Sequence, residues 1–80
     1  MAVVRLFASA REAAGTGRDV IEADTVAELL RAATDRYGEH FGEVLATCSV
    51  WVNGDDAGSD TPIGPDDEVA LLPPVSGGAT

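Results

Sequence analysis

Apolar and polar positions alternate with a period of two from Ala2 to Ala8 (AVVRLFA), with Val4, Leu6 and Ala8 on one side and Val3, Arg5 and Phe7 on the other. The alternation predicts a strand. Ser9 to Ala14 reads as a short helical turn, closed by Gly15-Thr16-Gly17. Arg18 to Ala23 (RDVIEA) is a second strand, close enough to the first for a hairpin-like return. The period then changes. Val26, Leu29, Leu30, Ala33 and Tyr37 make one apolar stripe at helical spacing. Thr25 and Glu28 stand at capping-box spacing ahead of it, and Gly38 supplies a stop. Arg31 and Asp35, four apart, fall on its polar side. Glu39 to Thr47 shows no clear period and fits a further helical turn.

Alternation returns at Cys48 to Asn53 (CSVWVN), a third strand, followed by a turn at Asn53-Gly54-Asp55-Asp56. Pro62 and Gly64-Pro65 limit Ala57 to Pro65 to loop and a short edge piece. Asp66-Asp67 open the last strand, Glu68 to Leu72, and Pro73-Pro74 end it for want of a ladder donor. The order is strand, strand, helix, strand, short edge, strand. One amphipathic helix must cover the apolar side of one sheet, and its position between the second and third strands makes a crossover. The predicted class is α+β, a β-grasp (ubiquitin-like) roll with a mixed sheet of about four to five strands under one main helix. Residues 1–73 form that domain, and 74–80 a flexible tail with Gly-Gly. Alternation sets Val4, Leu6, Cys48, Val50, Val52, Val69 and Leu71 beneath the helix. It sets Phe7, Trp51 and Leu72 on the opposite face, as a candidate partner interface or as a second small core beneath a crossing loop.

Composition narrows the function. Eighty residues make one domain with a small core. Five Arg, no Lys and fourteen Asp plus Glu give a net charge of −9. Such a surface repels nucleic acid and anionic lipid, so neither is an expected partner. It suits a basic protein surface, and it serves solubility equally well. The chain also offers no lysine of its own for acylation. The single Cys48 excludes an internal disulfide and a cysteine metal cluster. No signal-like segment opens the sequence and its apolar runs are shorter than a membrane span, so a cytoplasmic protein is expected.

The parts of an enzyme are missing. Neither GxxxxGK[ST] nor GxGxxG occurs. His40 stands alone and reads as a surface or structural residue. Cys48 shares strand alternation with Val50 and Val52, which favours a buried inert thiol over a nucleophile. Ser76 has no base beside it. Asp55-Asp56, Asp60 and Asp66-Asp67 read as solvated turn residues rather than a metal site. No catalytic residue, metal or stably bound cofactor is expected. What remains is the tail. Gly77 and Gly78 lack a Cβ and can thread a narrow channel, while Pro73 and Pro74 stiffen the exit from the sheet. From Pro74 to Gly78 an extended tail reaches roughly 15–18 Å. The same residues also fit a frayed terminus with chance glycines.

LLPPVSGG at Leu71 to Gly78, RLFASAREAAG at Arg5 to Gly15 and GPDDEVALLPP at Gly64 to Pro74 together resemble the MoaD/ThiS family of ubiquitin-like sulfur carriers. Within it they most resemble the small subunit of molybdopterin synthase. The resemblance spans essentially the whole chain. It implies that an E1-like adenylyltransferase of the MoeB/ThiF type uses ATP to adenylate the carboxylate of Gly78, and that persulfide sulfur then displaces AMP to leave a thiocarboxylate. The tail Pro73, Pro74, Val75, Ser76 and Gly77 then enters a MoaE-like large subunit, which is catalytic, and sulfur passes to the pterin precursor of molybdenum cofactor. Thiamine, cysteine or another sulfur-containing metabolite is the alternative destination. Archaeal ubiquitin-like modifiers end in the same way, so conjugation to target lysines is a further reading, and a binding module with an inert tail another. The family's mature chain ends at Gly-Gly, whereas here Ala79-Thr80 follow Gly78. Trimming by a protease between Gly78 and Ala79 is the favoured expectation. Activation only after other processing, and an inactive tail, are the alternatives.

Overall fold

The computed structural model describes residues 2–74. Strand β1 (Ala2–Leu6) leads through helix α1 (Ala8–Ala14) to β2 (Arg18–Ile21). Helices α2 (Val26–Tyr37) and α3 (Glu39–Leu45) follow. Strands β3 (Ser49–Val52), β4 (Asp55–Asp56) and β5 (Glu68–Leu72) complete the chain. The sheet order is β2-β1-β5-β3-β4, with β1 and β5 parallel at the centre and the other pairs antiparallel. This is the β-grasp roll. Val4, Leu6, Val69 and Leu71 form the sheet's half of the core, and Val26, Leu29, Ala33 and Phe41 form the helical half. Cys48 and Val50 pack against its margin.

Local chemistry explains most boundaries. Thr25 caps α2 as its spacing predicts, with Oγ1 accepting from the Glu28 N–H at 3.3 Å. The reciprocal bond shifts by one residue: the Glu28 carboxylate accepts from the N–H of Asp24 at 3.1 Å, not from that of Thr25. Gly38, at φ 101°, ends α2 and turns the chain into α3. Asn53 and Gly54 both have positive φ (52° and 87°), the backbone of a two-residue hairpin turn whose twist suits β3 and β4.

Four expectations need correction. β1 ends at Leu6, so Ala8 does not belong to its core face. The Phe7 carbonyl accepts from the N–H groups of Ala10 and Arg11, and Ala8 turns at φ 50° to begin α1. Glu39 to Leu45 is a full helix, because Phe41 buries completely beneath it. The short edge strand is Asp55–Asp56, inside the span assigned to a turn, while Pro62 makes only an isolated bridge to Thr25. Arg31 and Asp35 form no ion pair; the cation that pairs from α2 is Arg36, 2.8 Å from Asp19 on β2.

Candidate functional site

The central place of β5 decides where the tail begins. β5 lies between β1 and β3, and its last residue, Leu72, is opposite Ser49 at the start of β3. The Phe7 N–H donates to the Leu71 carbonyl at 3.3 Å, which brings the end of β1 to the same level. Pro73 and Pro74 therefore leave from the middle of the sheet's end, not from a corner. The tail residues Val75, Ser76, Gly77 and Gly78, and the position Gly78-Ala79 where cleavage is expected, lie outside the described residues.

Register places Phe7, Leu72 and Trp51 on the face away from the helices. Leu6 pairs with Leu71 and both are core, so Phe7 and Leu72 point to the other side. Trp51 lies opposite Ala70, one step diagonal from Leu72. Phe7 is 40% exposed and Trp51 38%, and Leu72 is half-buried. Neither ring belongs to the buried core. The sequence reading missed further members of this face. Val20 on β2, 37% exposed, lies opposite Val3 on the same face, one row beyond the Arg5–Arg18 pair. Arg5 and Arg18, cross-strand partners, add positive charge to it. Arg5 also meets Glu68 at 3.2 Å, an exposed pair worth little in stability. The face beside the tail is therefore apolar at Phe7, Trp51 and Leu72, with charges of both signs around them: Arg5 and Arg18, but also Glu68 and, opposite Trp51, Asp56. Alternation within β2 was the signal that would have found Val20.

The remaining candidates sit elsewhere. Cys48 is half-buried with Sγ 3.4 Å from the Val44 carbonyl, and burial pushes its thiol pKa up, away from the reactive thiolate. His40 is exposed on α3. Asp67 is a structural turn residue. Its carboxylate accepts from the Gly64 N–H at 2.7 Å and from the Asn53 side-chain amide at 3.0 Å, and these bonds hold its pKa below the ordinary value. No group of three or more His, Cys, Asp or Glu residues among the described residues is arranged to hold a metal ion. A depression of about 400 Å³ lined by Glu22, Asp24, Glu28 and Ile63 opens near the far end of β2, away from the tail. No helix among the described residues is long and apolar enough to cross a membrane.

A sheet whose central strand ends in a Pro-Pro exit suggests comparison with proteins that work through their C-termini. The ThiS family profile matches residues 4–78, running through the tail and stopping at Gly78. The chain belongs to the ThiS family. Members of this family of ubiquitin-like sulfur carriers are small carrier subunits, generally non-catalytic. Among solved structures, this ThiS-family chain is similar to small archaeal modifier protein 1 from Methanosarcina acetivorans. The two are 30% identical with a TM-score of 0.86, covering 95% of this chain and 94% of that one. The crystal structure of the Haloferax volcanii modifier of the same name is 32% identical with a TM-score of 0.74, covering 95% and 97%. A chain from the complex of subunits 1 and 2 of molybdopterin-converting factor from Helicobacter pylori is 30% identical with a TM-score of 0.70, covering 95% and 96%. No curated protein matches the sequence.

Proposed function

We propose that this ThiS-family chain carries sulfur as a thiocarboxylate on Gly78 and delivers it as the small subunit of a molybdopterin synthase. The observation that carries the reading is the family match that continues past the last strand and stops at Gly78, leaving Ala79 and Thr80 outside. A carboxylate resists attack by sulfur nucleophiles in water until it acquires a good leaving group. An E1-like partner supplies one by joining the Gly78 carboxylate to AMP, with pyrophosphate released from ATP. Persulfide sulfur then attacks the acyl carbon and AMP departs. Reduction of the resulting S–S bond by a thiol frees the thiocarboxylate. The chain supplies no catalytic side chain to these steps; it presents the acyl group at the end of a slender tail. The MoaE-like subunit would provide the catalytic groups for transfer to the pterin. Likeness to a chain of the H. pylori complex supports that destination.

The reading is tested by incubating the chain ending at Gly78 with an E1-like enzyme, ATP and a persulfide donor, then measuring intact mass. Exchange of one oxygen for one sulfur is expected, and an unchanged mass overturns the proposal. Co-purification with a MoaE-like subunit is the expected mark of the pathway. The similarity to archaeal modifier proteins favours one second reading, conjugation through Gly78 to lysines of other proteins. An isopeptide on a target lysine, found by peptide mass spectrometry, would establish it.

Docking is assigned to the exposed apolar face. Phe7, Trp51 and Leu72 stand beside the tail exit, so a partner that seats on them receives the tail in a fixed direction. Tryptophan is enriched at binding hot spots, where truncation costs about 2 kcal/mol or more, about thirtyfold in affinity. Trp51→Ala or Phe7→Ala should weaken binding to the activating enzyme or acceptor subunit by that order and leave Tm nearly unchanged, because both rings are solvent-facing. Loss of the fold with no separate binding defect would move the docking surface elsewhere.

A further inference from the structure

Among the described residues, the edge strands of the sheet are β2 and β4. An edge strand offers unpaired N–H and C=O groups to any other strand, and proteins blunt such edges with shortness, charge or cover. β4 is two residues long and both are aspartates. β2 is longer and carries the exposed Val20, so it is the edge at risk.

Register identifies which of its groups are open. Val3 directs its N–H to the β5 side, where the Asp67 carbonyl accepts it at 3.1 Å. Val3 is opposite Val20, and Arg5 is opposite Arg18. In an antiparallel ladder, Val20 and Arg18 are then the residues whose own N–H and C=O point away from β1. All four groups are occupied from within the chain. The Thr16 hydroxyl donates to the Arg18 carbonyl at 3.0 Å and accepts from the Arg18 N–H at 3.3 Å. The Asp19 carboxylate accepts from the Val20 N–H at 2.7 Å. The Arg36 guanidinium donates to the Val20 carbonyl at 3.2 Å. Arg36 and the Tyr37 hydroxyl both donate to the other Asp19 oxygen, which ties the cluster to the last turn of α2.

We propose that Thr16, Asp19 and Arg36 guard the β2 edge against a second copy of this chain, which would otherwise add its own β2 antiparallel and extend the sheet. A second copy is the occupant because two identical edges meeting about a two-fold axis are self-complementary. Such pairing would set two Val20 side chains and two apolar faces side by side, which converts a docking surface into a larger exposed patch. Three side chains from two segments satisfy every outward group of Arg18 and Val20, and this complete coverage distinguishes a guard from incidental surface bonds. The inference concerns β2 alone and stands apart from the chemistry of Gly78.

The test compares the intact chain with Thr16→Val/Arg36→Ala and with Thr16→Val/Asp19→Ala/Arg36→Ala. Light scattering after size exclusion is read over a concentration series, in salt sufficient to screen the net charge. The guarded chain is expected to stay monomeric. The double variant should self-associate roughly tenfold more tightly, as expected when several backbone groups per copy become available. The triple variant should self-associate further. Adding Val20→Pro, which removes an edge donor that β1 does not use, should return the double variant to a monomer. The double variant keeps the Asp19–Tyr37 contact, so it decides the matter if the triple variant fails to fold. A folded double variant that remains monomeric throughout overturns the proposal, and so does dimerisation that survives Val20→Pro.

Discussion

A chain that ends at Gly78 will accept AMP from an E1-like enzyme, and a chain extended past it by Ala79-Thr80 will not. In the extended chain the carbonyl carbon of Gly78 is locked in an amide to Ala79. The carboxylate presented instead belongs to Thr80, about 7 Å further along an extended backbone and beside a branched side chain. On the proposed function, an activating enzyme whose channel seats a glycine carboxylate at the α-phosphate of ATP would not place it. The expected contrast in ATP–pyrophosphate exchange is all or nothing, larger than the effect of any surface substitution. Gly78→Val in the chain ending at residue 78 should leave the fold intact and block sulfur transfer, because a Cβ enters the space through which the acyl carbon must pass. Equal exchange by the two chain lengths would show that activation does not require a terminal Gly78.

Phe41→Ala should cost about 3–5 kcal/mol of folding stability, through lost burial and the cavity left behind. Phe41 is 0% exposed and is the largest fully buried side chain; its ring stands 5.0 Å from that of Tyr37 in a tilted pair. A domain of eighty residues has about 4–12 kcal/mol in all, so this one change takes a large share and leaves much of the population unfolded near body temperature. Urea unfolding checks it, with the midpoint expected to fall sharply and the slope to hold. Trp51→Ala removes a larger ring from an exposed position and should move that midpoint little. A cost below about 1 kcal/mol for Phe41→Ala would mean that α3 is not part of the core.

Much of this architecture was legible because single residues reported it. Alternation in AVVRL, SVWV and EVALL fixed both faces of three strands, and Phe7, Trp51 and Leu72 fell on one side by that count alone. The failures have physical reasons. Seven residues of α3 are too few to show a helical period, and its formation rests on the burial of Phe41 against elements distant in sequence. Asp55 and Asp56 have poor strand propensity, and only the Asn53-Gly54 turn brings them beside β3. Ala8 fits an alternating pattern that cannot register a backbone reversal. At the candidate site, Val20, Arg5 and Arg18 join the exposed face through the β1–β2 register, which pairwise geometry sets and composition does not. Thr16 and Arg36 meet the same edge from twenty residues apart, a juxtaposition invisible before α2 docks on β2.

The central strand is also the last one made. On the ribosome, β1 emerges first and must wait for β5, its partner in the middle of the sheet, until residues 68–72 have left the exit tunnel. The core side chains Val69 and Leu71 arrive with it. The pairing that joins the two ends of the domain is therefore unavailable to a nascent chain, and such long-range contacts slow folding. A product cut short before Glu68 lacks the middle of its sheet and is recognisable to proteases as unfolded. The domain cannot close until translation has passed Leu72, so a folded body reports that the strand leading into the tail has been made.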